Sequence, residues 1–515
     1  MTQLITLRLA IAISAVVAGC GRQDPGTSVD VALAYDDALE LDTAEITLVA
    51  GTESGPIAHR MLLLVTDDLV GMDVAMTVWG RAAGRRAAYG TGTAVPVLGE
   101  TVSAMVTLTA CAPSCQGDVL TTCTGPTACA LGCSEDGDPH CVAPTPSNGV
   151  DPGAADPLFG TTTIATDTTF DVDTGAITGG LSRAAGTGVA SGIGYVQAPA
   201  MAAGGAPLGI FVFHSATVEA AATVRFTGTR AAVWLVGDEA TIAGTLDVAA
   251  GHDARSAPGP AGGAGGTLGT LAQGCGPGGF GSQGTIGPLE DSGGGGGGAG
   301  TGGGAGGNAV TAAPPSRTPG GVGGKACLPD GLEPLQGGSG GGSGGPGMTA
   351  RPSSGGGGGG ALQITALGRL TITGTINAGG AGGEPGASAA VNAGAGAGGG
   401  GGGAILLESP AVTIAATAIL AANGGVGGGG GSPIDGMPGS NGGALAARAA
   451  GGSSGSPNGS TGGAGGAGEL LPDPGDDGTA NAAGGGGAVG AIVIRARALM
   501  NSGLSSPPAH QLDVR

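Results

Sequence analysis

The chain has 515 residues, of which 119 are glycine and 32 proline, together about 29 %, too high for one ordinary compact core. Only 11 % of residues are charged and 2 % aromatic while 40 % are hydrophobic, which is also unlike the polar, highly charged composition of ordinary disorder. A net charge of -20 repels nucleic acid and anionic head groups, so no nucleic-acid partner is expected.

Residues 1–19 read as a removable export signal, with Arg8 ahead of an apolar stretch from Leu9 to Ala18. The stretch is shorter than the ~20 residues that cross a bilayer, and no later segment reaches that length without charge or glycine. The order Val17-Ala18-Gly19-Cys20 resembles the lipobox of bacterial lipoproteins. That resemblance implies cleavage before Cys20, lipidation of its thiol and a membrane as partner, held by acyl chains at ~0.8 kcal/mol per buried CH₂. Gly21 rather than Asp follows, which by the same resemblance favours the outer membrane. The competing reading is a plain secretory signal with an incidental cysteine. Residues 20–28 form a tether.

Residues 29–110 carry short alternating runs, such as Val29, Val31, Leu33 and Val74, Met76, Val78, separated by Gly, Pro and Asp. The pattern predicts about seven strands in an antiparallel β-sandwich of immunoglobulin-like size. The Cys-Trp-Cys hallmark of immunoglobulin domains is missing, and Trp79 is expected in the core. Residues 111–141 hold Cys111, Cys115, Cys123, Cys129, Cys133 and Cys141, so that C-x3-C-x7-C occurs twice. In an exported chain this predicts a three-bridge disulfide module with fifteen possible connectivities. Zinc is the rival reading, but only His140 lies near. Residues 142–160, with four prolines, read as a linker.

After the linker, Ile242, Gly244, Thr245 and Leu246 match Ile372, Gly374, Thr375 and Ile376 at an offset of 130. Related runs begin at 231, 361, 404 and 491, with spacings near multiples of a period of about 43. Isoleucines fall on one face of each second strand and threonines on the other. Stacking such units in parallel register would bury Ile on Ile, at ~1.5–3 kcal/mol per side chain. The expected architecture is a mostly β chain ending in a parallel β-solenoid with glycine-rich insertions. Its first strands occupy 161–250, a glycine-rich insertion 251–360, further repeats 361–503 and a tail 504–515. Cys275 and Cys327 are expected to pair and close the long glycine loop. The glycine runs, among them 293–298, 355–360, 398–403 and 427–431, have two options. They stay flexible, or they pack side by side as extended three-residue-per-turn helices; a mixture is expected. Without a strict G-X-Y period they are not collagen.

Little in the chain announces chemistry. The five histidines are isolated, and G-x-S-x-G or G-x-G-x-x-G matches in polyglycine arise by chance. No catalytic residue, cofactor or metal ligand is predicted; Asp167, Asp171 and Asp173 read as a solvated loop rather than a calcium site. The whole resembles the uncharacterised glycine-rich, lipobox-bearing surface lipoproteins of myxobacterial type, on its lipobox, cysteine spacing, Pro146-Ser147-Asn148-Gly149 segment and glycine repeats. The first expectation is a non-enzymatic, membrane-anchored surface lipoprotein with a structural or adhesive repeat region. A second is a polysaccharide-acting β-helix enzyme with a site among Asp171, Asp173, Phe211, Phe213, His214, Glu219 and Arg225. A third is a binding sandwich on a repeat spacer, with a cell-surface or glycan partner.

Overall fold

The computed structural model describes residues 26–514 apart from 49–50, 66–68, 124, 130, 137, 156–157, 159, 203, 284–290, 311–316, 346–352, 389–393, 432–433, 446, 455–458 and 480. The signal segment 1–19, the tether up to residue 25 and Cys20 therefore lie outside the described residues. The chain is nearly all β and divides into two units. One holds residues up to Ala143 together with Asp156–Gly160; the other holds Pro144–Ala155 and everything from Thr161 onward.

In the first unit, strands Arg60–Leu64, Ser28–Ala34 and Thr101–Thr107 form one sheet, and Gly51–Pro56, Thr43–Leu48, Val74–Ala82, Arg85–Ala94 and Thr109–Ala110 form another. Alternation directs Val29, Val31, Ile46, Met76, Val78 and Val106 into one core shared by both sheets. The pairing is not wholly antiparallel as expected, since Ser28–Ala34 runs parallel to Thr101–Thr107. Trp79 also departs from expectation. With Val74, Met76 and Val78 facing inward, strand parity turns Trp79 to the opposite face. There it is half-buried, with the Arg86 guanidinium 4.6 Å from its ring centre and Tyr89 at 4.8 Å.

The cysteine module closes as Cys111–Cys123, Cys115–Cys133 and Cys129–Cys141. This connectivity has the symmetry of the sequence repeat. Each C-x3-C-x7-C unit is closed by its outer cysteines, a separation of 12 residues both times, and the two middle cysteines join the units. Asp138 of the module reaches Arg81 at 2.7 Å. Arg81 also pairs with Glu45 at 2.7 Å. Burial alone would raise the Glu45 carboxyl, but hydrogen bonds and charge from Arg81 and Arg86 outweigh it and hold it below the usual carboxylate range.

The second unit contains three long sheets whose strands are parallel except at the first edge of two of them, where Ile177–Gly179 pairs antiparallel with Thr168–Asp171, and Gly188–Ala190, Ile193–Ala198 and Leu208–Phe213 pair antiparallel in turn. Each pass of the chain lays one strand in each sheet: Ala231–Val236, Glu239–Ile242 and Thr245–Asp247, then Ala361–Ala366, Arg369–Ile372 and Thr375–Asn377, then Ala404–Glu408, Ala411–Ile414 and Ile419–Ala421. The 130-residue match is one of direct neighbours, with Ile242 opposite Ile372 and Ile372 opposite Ile414. Leu246, Ile376 and Leu420 form a second ladder. Trp234, Ile364, Leu407 and Ile494 form a third. All three ladders meet in one core.

Three expectations need correcting. The period of about 43 is not the structural unit: strands beginning at 231, 361, 404 and 491 are adjacent in one sheet, so each step is a single pass, whatever the length of its insertion. The tail 504–515 is not a tail, because Leu504–Ser506 and His510–Leu512 extend two of the sheets in parallel. The segment 142–160 is not a plain linker, because Pro144–Ala155 belongs to the second unit.

Candidate functional site

The described glycine runs of the second unit are held by hydrogen bonds between their backbones. From Gly293 to Gly298 the six N–H groups donate in turn to the carbonyls of Gly307, Gly396, Gly279, Gly304, Gly399 and Gly276. Three neighbouring runs are thus visited in rotation, and the rotation repeats after three residues. Gly398 to Gly403 does the same with Gly342, Gly485, Ala381, Ser339, Ala488 and Ala378. A three-residue repeat is that of the extended helix with three residues per turn, which has no internal hydrogen bonds and must satisfy its backbone laterally. A run surrounded on three sides has no direction left for a side chain. A methyl group on Gly400 would run into the Gly357 carbonyl, and one on Gly293 into the Ala483 carbonyl. Packing of this kind, the second of the two options, accounts for the described glycine runs.

At the margin of the lattice one direction per turn is open, and side chains occupy it. Pro277, Phe280 and Gln283 are exposed along one run, and Pro319, Val322 and Lys325 along the next. The two runs are joined by Gly279 N–H to the Val322 carbonyl. A third run, joined through Gly303 to Gly324 and Gly306 to Gly321, exposes Gly302 and Ala305. Side chains therefore stand in rows, about 9 Å apart along each run. Beyond Ala305 the margin becomes acidic at Asp473, Asp476 and Asp477. Asp477 accepts from Asn308 N at 2.8 Å and from Arg317 at 2.6 Å. The Cys275–Cys327 disulfide ties the first two runs together.

A second feature lies on the outward face of the sheet containing Ala361–Ala366, Ala404–Glu408 and Ala491–Arg495. Gln363, Thr365, Glu408 and Arg495 are all buried there, although strand alternation points them away from the apolar core. The strap Pro144–Ala155 covers them. Glu408 accepts from Ser147 N–H, from the Ser147 hydroxyl, from Gln363 at 2.9 Å and from Thr365 at 2.8 Å. Asn148, in the left-handed region at φ 57, donates to Gln363 at 3.0 Å and accepts from Leu335 N–H at 2.9 Å. Arg495 pairs with Glu333 and lies 3.9 Å from Glu408. The Pro-Ser-Asn-Gly segment is thus a docking motif. Its signal in the sequence is a set of polar residues, Gln363, Thr365, Glu408 and Arg495, on strands otherwise apolar on both faces.

The residues grouped for a polysaccharide-acting site are not brought together. Phe211 and Phe213 are buried in the core beside Phe170 and Trp234. Asp171 accepts from Asp173 N–H and Thr174 N–H, and Asp173 from Thr229 N–H and Arg230 N–H, so both carboxylates hold turns. Arg225 pairs with Asp253, and Glu219 is exposed. Among the described residues no cluster of His, Cys, Asp and Glu is arranged to hold a metal ion. The chain matches no family model, no curated protein and no solved structure.

Proposed function

We propose that this is a non-enzymatic surface lipoprotein, anchored through acylated Cys20 in the outer membrane, whose glycine lattice is a rigid structural or adhesive surface. In this reading the three parallel sheets are the coils of a β-solenoid and the first unit is a small β-sandwich. The observation that carries it is the three-residue rotation of the lattice, which consumes the backbone inside and leaves rows of side chains outside. A surface of this kind loses little entropy on binding, because its backbone is already fixed. Four disulfides suit an oxidising exterior.

Two measurements test the reading. Cells producing the full chain should incorporate a labelled fatty acid into it, and Cys20→Ala should abolish the label; retained label would sink the anchor. The full chain should bind members of a glycan and whole-cell panel. Combined Phe280→Ser, Val322→Ser and Lys325→Ser should lower that binding without changing the folded state, and undiminished binding would leave the lattice no adhesive part.

A further inference from the structure

A cleft of about 550 Å³ opens beside the Cys275–Cys327 disulfide. We infer that this disulfide is a thiol–disulfide exchange site, opened by an external vicinal dithiol that attacks Cys275 and expels Cys327. The inference goes beyond the display reading and does not depend on it.

Access is the first argument. Exchange needs a sulfur that an incoming thiolate can reach. Cys275 is exposed, whereas the six cysteines of the 111–141 module are half-buried or buried. Around Cys275 the cleft is walled partly by Gly204, Gly205, Gly262 and Gly274, which carry no side chain to bar the approach. No ionised side chain lines the cleft, so no carboxylate there repels the thiolate.

The leaving group is the second argument. The hydroxyl of Ser339, a buried residue, lies 3.7 Å from Cys275 Sγ and 3.9 Å from Cys327 Sγ. Gly276 N–H donates to its oxygen at 2.8 Å, which leaves the hydroxyl proton to be donated to a sulfur. A thiolate accepts such a bond more strongly than a disulfide sulfur does, so the hydroxyl favours departure of Cys327. Glycine is required for this approach at residue 274, where φ is 111 and a methyl group would collide with the Ser339 backbone and hydroxyl.

The exchange balances in two steps. The first thiolate of the dithiol bonds to Cys275 Sγ as the Cys275–Cys327 bond breaks, and the electron pair of that bond leaves on Cys327 Sγ. The second thiolate then attacks the dithiol sulfur now joined to Cys275 and releases Cys275 as a thiolate. The dithiol is oxidised to a disulfide, and the two protons it gives up pass through solvent to Cys275 and Cys327. The product has lost the covalent tie between the runs 276–281 and 319–325.

Graded dithiothreitol on the folded full chain, followed by iodoacetamide and peptide mass spectrometry, tests this. Cys275 and Cys327 should be labelled roughly tenfold faster, or more, than any cysteine of the 111–141 module. With limiting 2-mercaptoethanol, a monothiol, the mixed disulfide trapped by acid should sit on Cys275. In Cys275→Ser, alkylation of the free Cys327 should have a pH midpoint that moves upward when Ser339→Ala is added, a change that a purely structural serine would not produce. The first two readouts use the unaltered chain and decide the matter even if Ser339→Ala fails to fold. Labelling of the module first or at an equal rate, an adduct on Cys327, or an unmoved pH midpoint would overturn the inference.

Discussion

In the parallel sheets of the second unit, the space between passes is filled by side chains: Ile372 lies between Ile242 and Ile414, and all three are buried. In the lattice the corresponding space is filled by backbone, with Gly400 enclosed by neighbouring runs and no side chain at any inner position of 398–403. Both interiors are dense, but they are stabilised differently. The ladders gain ~1.5–3 kcal/mol per buried side chain from the hydrophobic effect. Each lattice glycine costs ~1–2 kcal/mol of backbone entropy and returns ~0.5–1.5 kcal/mol per hydrogen bond. The lattice is therefore near break-even by itself and depends on the sheets in which its runs begin and end.

The comparison predicts opposite responses to a change in side-chain size. Gly400→Ala adds one methyl where the Gly357 backbone stands, and a backbone locked on three sides cannot yield. A loss of about 4 kcal/mol or failure to fold is expected, above the usual range for overpacking. Ile372→Ala removes three carbons from the ladder and should cost about 3 kcal/mol. Denaturant melts of both variants check the ranking. If Gly400→Ala were tolerated to within ~1 kcal/mol, the packed-backbone account would fail.

A smaller effect is expected where the lattice is held covalently. Cys275 and Cys327 are 52 residues apart, and the loop between them offers few apolar side chains. Replacing both with serine should cost about 2–4 kcal/mol if the chain unfolds as one. If the lattice opens separately, hydrogen exchange should instead rise in runs 276–281 and 319–325 and stay low at 369–372 and 411–414. Uniform acceleration in both places would mean that sheets and lattice are one cooperative body, and that the contrast between them has no bearing on stability.

The ladders were legible because Thr and Ile obey a period of two, and a register error would have exposed every isoleucine. The disulfides followed from cysteine spacing, although their connectivity did not. The lattice was legible only as an option. Composition showed that the runs lack side chains to pack, but which run lies beside which depends on long-range pairings such as Gly294 with Gly396, and polyglycine carries no register. The place of Trp79 is set by strand parity, since Val74, Met76 and Val78 face the core and residue 79 takes the opposite face. The strap was not legible, because four prolines between 142 and 160 have the composition of a spacer and its partners Glu408 and Gln363 lie more than 200 residues away.

The weakest effect is expected at the acidic margin, where lattice and charge meet. Burial alone would raise the Asp477 carboxyl, but hydrogen bonds from the Asn308 backbone and side chain, with the charge of Arg317, outweigh it and hold it below the usual carboxylate range. The folded chain then binds this proton less readily than the unfolded chain. The contribution is complete above the ordinary carboxylate value of about 3.9 and is lost as pH falls through the depressed folded value. Because the pair is exposed, it is worth less than about 1 kcal/mol. Exchange at Asn308, Val310 and Arg317, corrected for intrinsic rates, should accelerate in that acid window, and Asp477→Asn should remove the dependence. Amides of 398–403 should not respond, since that run carries no ionisable group and is held by backbone partners alone. An equal acid response at both places would mean that charge at the margin governs the interior, and that the lattice does not stand on its backbone hydrogen bonds.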